Sequence, residues 1–127
     1  MTYYFSKTID LDFDGAIKKV TEELKKEGFG ILTDIDVKAT LKKKLDVDFH
    51  KYRILGACNP QFAYQALKAE DKIGTMLPCN VIVQDKDGKS EVSAIDPLAS
   101  MQAVKNKVLA DVAQQIRLKL KTVIEKL

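Results

Sequence analysis

The sequence predicts an α+β fold in which a largely antiparallel sheet of about five strands carries helices on one face. Segments rich in β-branched and aromatic residues alternate with amphipathic helical stripes, and a short turn at 85–89 joins two of these segments. Strands joined by so short a turn are antiparallel neighbours. Because the chain has 127 residues, we expect a single domain covering 1–127.

Composition excludes several classes of protein. Apolar residues make up 46% of the chain and charged residues 31%, as in a globular protein rather than a disordered one. The net charge of +3 is too small to favour nucleic acid as a partner. The sequence shows neither a signal-peptide pattern nor an apolar run approaching the roughly 20 residues that span a bilayer. We therefore expect a cytoplasmic protein that does not associate with membranes and keeps its cysteines reduced.

The first part of the chain predicts two strands around one helix. Thr2–Ile9 is the first strand, rich in aromatic and β-branched residues. Asp12 is the expected N-cap of a helix whose apolar residues recur at three- and four-residue spacing, and Gly28 ends it. Phe29–Asp36 is the second strand, and a short amphipathic helix follows at Val37–Leu45.

The next part predicts a strand, a helix and a hairpin. Lys51–Cys58 is the third strand, and the Asn-Pro pair beginning at Asn59 favours a helix N-terminus. We expect that helical unit to end at Gly74. Leu77–Asp85 and Ser90–Ile95 are the strands of the hairpin, with a glycine at the left-handed position of the turn.

The remainder of the chain, from the Asp96-Pro97 cap to Leu127, predicts mostly one long helix with a continuous apolar stripe. A helix of about 25–30 residues spans roughly 40 Å, whereas a domain of this size is about 30 Å across. We therefore expect the last turns to overhang the core and to pack on a second subunit, which makes the protein a homodimer through its C-terminal helix.

The two cysteines allow two interpretations. Cys58 lies just before a helix N-terminus, where the helix dipole lowers a thiol pKa, so it is a candidate reactive thiolate with Cys79 as its partner. Cys79, however, alternates with Val81 and Val83, and a free cysteine is often a small buried hydrophobe. The 20 residues between the cysteines match no C-x-x-C motif. Two buried structural cysteines are the favoured interpretation.

Three polar residues lie where strands meet turns. Asn59 and Asp96 are explained as helix caps, but Asn80 interrupts an apolar strand. Such an asparagine faces solvent, bonds a neighbouring loop or lines a pocket, and we favour the pocket. The candidate ligand-binding residues are therefore Cys58, Asn59, Cys79, Asn80, Asp96 and Lys38.

Lys38 belongs to a basic cluster that is either an anion-binding surface or the solvated face of a short helix. The cluster consists of Lys38, Lys42, Lys43, Lys44, His50, Lys51 and Arg53. Aspartates at 34, 36, 46 and 48 flank it and weaken its field, which favours the solvated face. The single histidine and the two cysteines lack metal-ligand spacing, so we expect neither a metal nor a cofactor.

Four segments together resemble a known family. They are GFGILTDIDVKATL (28–41), YRILGACNP (52–60), LPCNVIV (77–83) and AIDP (94–97). In this order and spacing they resemble the bacterial and archaeal family called domain of unknown function 302, over nearly the whole chain. The resemblance implies a strand–helix–four strands–helix fold, similar to half of the TATA-binding protein, and a dimer. It implies no biochemical activity.

We expect a small dimeric domain that binds a small ligand or a partner and is not an enzyme. Phosphate-binding, nucleophile-elbow, dinucleotide-binding and zinc-protease motifs are all missing from the sequence. The alternative is a thiol-dependent redox or sulfur-handling protein that uses Cys58 with Cys79. Nucleic-acid binding through the sheet is a third hypothesis, which the charge favours least.

Overall fold

A computed structural model describes residues 2–127, which form one five-stranded sheet and its helices. The strands are β1 (Tyr4–Ile9), β2 (Gly30–Asp36), β3 (Tyr52–Cys58), β4 (Cys79–Lys86) and β5 (Lys89–Ile95). Their spatial order is β1-β5-β4-β3-β2, and every neighbouring pair is antiparallel. The predicted α+β fold with a five-stranded antiparallel sheet is confirmed.

The helices are α1 (Phe13–Lys26), α2 (Val37–Leu45), α3 (Pro60–Ala69), α4 (Pro97–Ser100) and α5 (Lys107–Glu125). A 3₁₀ helix, Asp71–Met76, continues the chain after α3, so the predicted helix to Gly74 is in fact two shorter helices. Both α1 and α5 lie against the sheet, α3 packs beside α5, and α2 lies against β2 and β3 at one edge.

The hydrophobic core lies between α1, α5 and one face of the sheet. Because side chains alternate along a strand, Leu55, Val81 and Val83 all point toward the helices, where they are buried. Val20 of α1 and Leu120 of α5 belong to the same buried cluster. Fully burying a side chain of this kind contributes about 1.5–3 kcal/mol, so these alternating positions account for much of the stability.

The opposite face of the sheet has a different composition. Tyr52, Ile82 and Gln84 occupy its middle strands, and a shallow groove of about 620 Å³ runs over them. Tyr4 and Ile35, on the edge strands, are exposed. We call this surface the open face.

The C-terminal part of the chain corrects the predicted single helix. The four-residue α4 ends at Ser100, and α5 begins only at Lys107. Asn106 is the N-cap of α5, because its side-chain oxygen accepts a hydrogen bond from the amide of Leu109 at 3.1 Å. The Asn106 Nδ2 atom also donates to the carbonyl oxygen of Ala69 at 2.7 Å, which ties the start of α5 to the end of α3.

The predicted overhang of this helix is also wrong. With 19 residues, α5 is about 28 Å long, no longer than the domain itself. Its last turns bury Val123 and Ile124 in the core of the same chain. Lys7 of β1 also donates from Nζ to the carbonyl oxygen of Leu127 at 2.6 Å. The apolar stripe of α5 therefore packs against the core of its own chain. The homodimer itself stays a prediction.

The β4–β5 turn forms as expected. Asp87 and Gly88 have φ values of 54° and 88°, the left-handed conformation that a two-residue hairpin turn of the primed type requires. Gly28, just after α1, has a φ of 89°, which is why a glycine ends that helix.

Candidate ligand-binding cavity

The pairing of β3 with β4 brings the two cysteines to the same end of the sheet. Ala57 lies opposite Cys79 in the antiparallel register, and Cys58 lies one residue beyond that pair. Both cysteines are free and half-buried. The two cysteines therefore lie on neighbouring strands, and both side chains line one cavity.

This cavity, of about 270 Å³, lies between the end of the sheet and helices α3 and α5. Ala57 and Cys79 belong to the sheet, Phe62 and Ala66 to α3, and Ile116 to α5. The remaining lining residues are Phe29, Leu32, Cys58, Asn59, Ala63, Leu67, Leu77, Pro78, Pro97, Met101, Val112 and Ala113. Asn59 is the one side chain among them with an amide, and none carries a formal charge at neutral pH.

Leu32 and Leu67 form the solvent-facing rim of the cavity, with 67% and 44% of their surface exposed. The pairing of β2 with β3 shifts register between Ile31 and Thr33, so Leu32 lies in a bulge. A bulge breaks the regular alternation and redirects one side chain. Here it places a leucine beside the cavity.

Burial, and to a smaller extent the neighbouring Cys58, raises the pKa of the Cys79 thiol to about 11. Its ordinary value is 9.0. Desolvation disfavours the charged thiolate, so the Cys79 thiol stays neutral at pH 7. Within the cavity it therefore behaves as a small apolar side chain rather than as a nucleophile.

Asn59 occupies the N-cap position of α3, but its side chain does not cap that helix. The Nδ2 atom instead donates to the carbonyl oxygen of Glu27 at 3.2 Å. Helix ends leave carbonyl groups without intrahelical partners, and Asn59 supplies a donor to one of these at the end of α1. The predicted cap is thus corrected to a link between α1 and the β3–α3 junction.

A sequence model described as "Domain of unknown function DUF302" matches residues 5–127. The chain belongs to the DUF302 family. The resemblance inferred from the four segments is confirmed. None of the curated proteins matches the chain.

A crystal structure of an uncharacterised conserved DUF302 protein from Bacillus stearothermophilus is similar to this DUF302 chain. The two are 26% identical, the match covers 99% of this chain and 98% of the other, and the TM-score is 0.92. The α+β architecture is therefore shared over the whole described chain.

The other three predicted ligand-binding residues of the DUF302 chain lie away from the cavity. Asn80 follows Cys79 on β4, so strand alternation turns it to the open face, where it lines the groove. Asp96 caps α4 through the amide of Leu98 at 3.0 Å and also accepts a hydrogen bond from Arg117 Nε at 3.1 Å. Of the six predicted ligand-binding residues, only Cys58, Asn59 and Cys79 line the same cavity.

Lys38, the third of these residues, belongs to the basic cluster, and most of that cluster is engaged in local contacts. Lys38 Nζ donates to the carbonyl oxygen of Phe49 at 2.7 Å. Lys42 lies 2.9 Å from the carboxylate of Asp46, and Arg53 lies 2.8 Å from that of Asp34. These pairs support the interpretation of the cluster as a solvated face rather than an anion site.

Two features are absent from residues 2–127 of the DUF302 chain. No group of three or more histidine, cysteine, aspartate or glutamate side chains lies close enough together there to hold a metal ion. None of the helices formed by these residues is both long and apolar enough to cross a lipid bilayer.

Sequence reasoning missed most of the cavity wall, which the helices supply. Phe62, Val112 and Ile116 occupy positions on apolar helical stripes, and a stripe that lines a cavity has the same period as one that fills a core. One signal was present in the sequence. Small residues recur at 57, 63, 66 and 113, and alanines at facing positions leave space between a sheet and two helices.

Replacing Asn59 with alanine is expected to lower the free energy of unfolding of the DUF302 chain by about 1 kcal/mol, because the Glu27 carbonyl loses its donor. Urea denaturation followed by circular dichroism measures the change. Gln65→Ala, which removes an amide side chain from an exposed position of α3, serves as the control and should change stability by less than about 0.5 kcal/mol. Equal losses in the two variants would contradict the proposed link.

Proposed function

We propose that this DUF302 domain binds a small, uncharged, apolar molecule in the cavity between β3, β4, α3 and α5. The proposal rests on the residue composition of the cavity wall. Of its seventeen residues, fourteen are apolar, two are cysteines and one is Asn59. Ligand sites are typically concave and mostly apolar, with few polar groups that fix orientation.

The size of the cavity bounds the ligand. An apolar protein cavity of about 150 Å³ accepts benzene, so a cavity of about 270 Å³ suits a molecule of roughly twice that bulk. A fused bicyclic ring such as naphthalene or indole is the closest simple probe. The rim formed by Leu32 and Leu67 supplies an apolar route from solvent.

The chemistry of the wall disfavours charged ligands. No lysine, arginine, histidine, aspartate or glutamate lines the cavity, so an ion would be desolvated there without a partner. The neutral Cys79 thiol adds no charge at physiological pH. The amide of Asn59 is the one group able to hold a polar atom of the ligand, although it already donates to Glu27.

Isothermal titration calorimetry with indole and naphthalene tests the proposal. We expect saturable binding with a negative heat-capacity change, the mark of apolar burial. Ala63→Phe should lower the affinity at least about tenfold, because the new ring occupies the space that the ligand needs. Ala39→Phe, on the exposed surface of α2, is the matched control.

Two results would count against the proposal. The first is the absence of saturable heat with either probe on the folded wild-type chain. The second is an equal affinity for Ala63→Phe and Ala39→Phe, which would place any binding elsewhere. Circular dichroism of both variants establishes that a loss of binding is not a loss of fold.

The thiol-dependent alternative has one supporting observation, namely that Cys58 and Cys79 line the same cavity. The raised pKa of Cys79 counts against it, because a neutral thiol is a poor nucleophile at pH 7. If thiol chemistry occurs here, Cys58 is the attacking residue and Cys79 the resolving one. Apolar ligand binding is therefore the function that the geometry favours.

A further inference from the structure

We propose that the open face of the sheet is a homodimer interface, on which a second copy of this chain packs sheet to sheet. The proposal does not rest on the apolar cavity, which lies on the other side of the sheet. The sequence predicted a dimer through the C-terminal helix, but the apolar stripe of α5 packs within its own chain. The proposed interface is therefore the sheet and not α5.

Apolar side chains stand across all five strands of the open face. Strand alternation and register place Tyr4, Ile35, Tyr52, Ile54, Ile82 and Ile95 there. Tyr4 is 42% exposed and Ile35 is 47% exposed, on opposite edges of the sheet. An exposed apolar patch of this extent is rare on a monomer and marks an interaction surface.

Several polar groups of this face already satisfy one another, so covering those groups costs little. The hydroxyls of Ser6 and Ser93 are hydrogen-bonded at 2.9 Å. His50 Nε2 lies 2.9 Å from Gln84 Oε1, and the Nε2 atom of the same glutamine donates to Glu91 Oε1 at 3.0 Å. Polar groups paired in this way can be buried without losing their partners.

The charge of the open face favours a second copy over nucleic acid. Its groove contains one carboxylate, that of Glu91, and no lysine or arginine, while Lys86 and Lys89 lie on this face only at its end, beside the β4–β5 turn. A surface that contacts phosphates needs basic side chains. A face whose centre carries so little charge, in contrast, can meet an identical face across a two-fold axis without repulsion between like charges at the centre.

The area is sufficient for a stable dimer. The strands contain six to eight residues each. Five strands spaced about 4.8 Å apart and about 23 Å long cover roughly 550 Å², so two copies bury about 1,100 Å², above the roughly 1,000 Å² expected of a biological interface. Two sheets packed in this way lie about 10 Å apart, as in a β-sandwich.

Sedimentation equilibrium on the full chain at about 1 to 100 µM tests the proposal, because mass action resolves the dimer over such a range. We expect twice the 14.2 kDa mass of one chain. Ile82→Lys, at the centre of the face, should raise the dimer dissociation constant by roughly 100-fold or more, because the two-fold axis brings two unpaired charges into the interface. Leu118→Lys, on the exposed side of α5, is the matched control and should remain dimeric.

Ile35→Lys is the second variant, because its side chain is exposed in the single chain and the substitution should leave the fold intact. If circular dichroism shows that Ile82→Lys is unfolded, Ile35→Lys decides the test. A wild-type chain that is monomeric over the whole range overturns the proposal. So does a folded open-face variant that stays as dimeric as Leu118→Lys, or a Leu118→Lys chain that dissociates instead.

Discussion

Replacing Gly56 with alanine is expected to lower the free energy of unfolding by about 2–3 kcal/mol, because the site has no room for a Cβ atom. An added Cβ would overlap the Thr33 hydroxyl oxygen and would lie 2.7 Å from Cγ of Pro78. Gly56 belongs to β3 and pairs with both neighbouring strands, so neither contact can relax easily. Urea denaturation measures the loss.

Gly30→Ala is the matched control, since a Cβ at Gly30 meets nothing within 4 Å. Both glycines lie in paired strands, so the entropic benefit of alanine is similar at the two sites. Thr33→Ala should restore part of the lost stability in the Gly56→Ala background, because it removes one of the two overlapping groups. Equal effects of Gly56→Ala and Gly30→Ala would show that the close approach is not limiting.

The second large effect is a loss of stability at high pH that depends on Cys79. Burial raises the pKa of this thiol from 9.0 to about 11 in the folded chain. Between pH 9 and 11 the unfolded chain loses the proton while the folded chain retains it, so the unfolded state binds fewer protons. Stability is therefore full below pH 9 and falls by roughly 2 kcal/mol as the pH rises to 11.

Cys79→Val is the control for this experiment, because valine has a similar volume and does not titrate. The free energy of unfolding should fall more steeply from pH 9 to 11 in the wild type than in Cys79→Val, with lysine and tyrosine titration common to both. Parallel curves would mean that Cys79 is as acidic in the folded chain as in the unfolded one. That outcome would also revive the thiol-dependent alternative.

The strands were predictable because alternation and turn chemistry are local properties. The alternation in CNVIV predicts a strand with one buried face. The pair Asp87-Gly88 predicts the left-handed turn that joins β4 to β5. The sequence also contains a signal for the break between α4 and α5, namely Asn106 at the N-cap position of α5. It was missed because the apolar stripe continues across the break and periodicity alone does not show an interruption.

The candidate site was predictable only in part, because its members come from separate elements. The sequence places Cys58 and Cys79 at the ends of neighbouring strands, and the register shows that they share a cavity. Asn80 follows Cys79 directly yet belongs to the other face. Asn59 has a side chain whose partner, the carbonyl of Glu27, is 32 residues away. No local rule chooses that partner over the adjacent helix.

The two hydrogen bonds of Asn106 have a consequence for how fast a ligand enters and leaves. One side chain joins the end of α3 to the start of α5, and these two helices form the wall opposite the sheet. Separating them would break the bond from Asn106 to the Ala69 carbonyl, whereas moving Leu32 on the edge strand requires no such loss. Exchange of a bound molecule should then follow the side-chain motion of Leu32, on a timescale much shorter than that of helix separation.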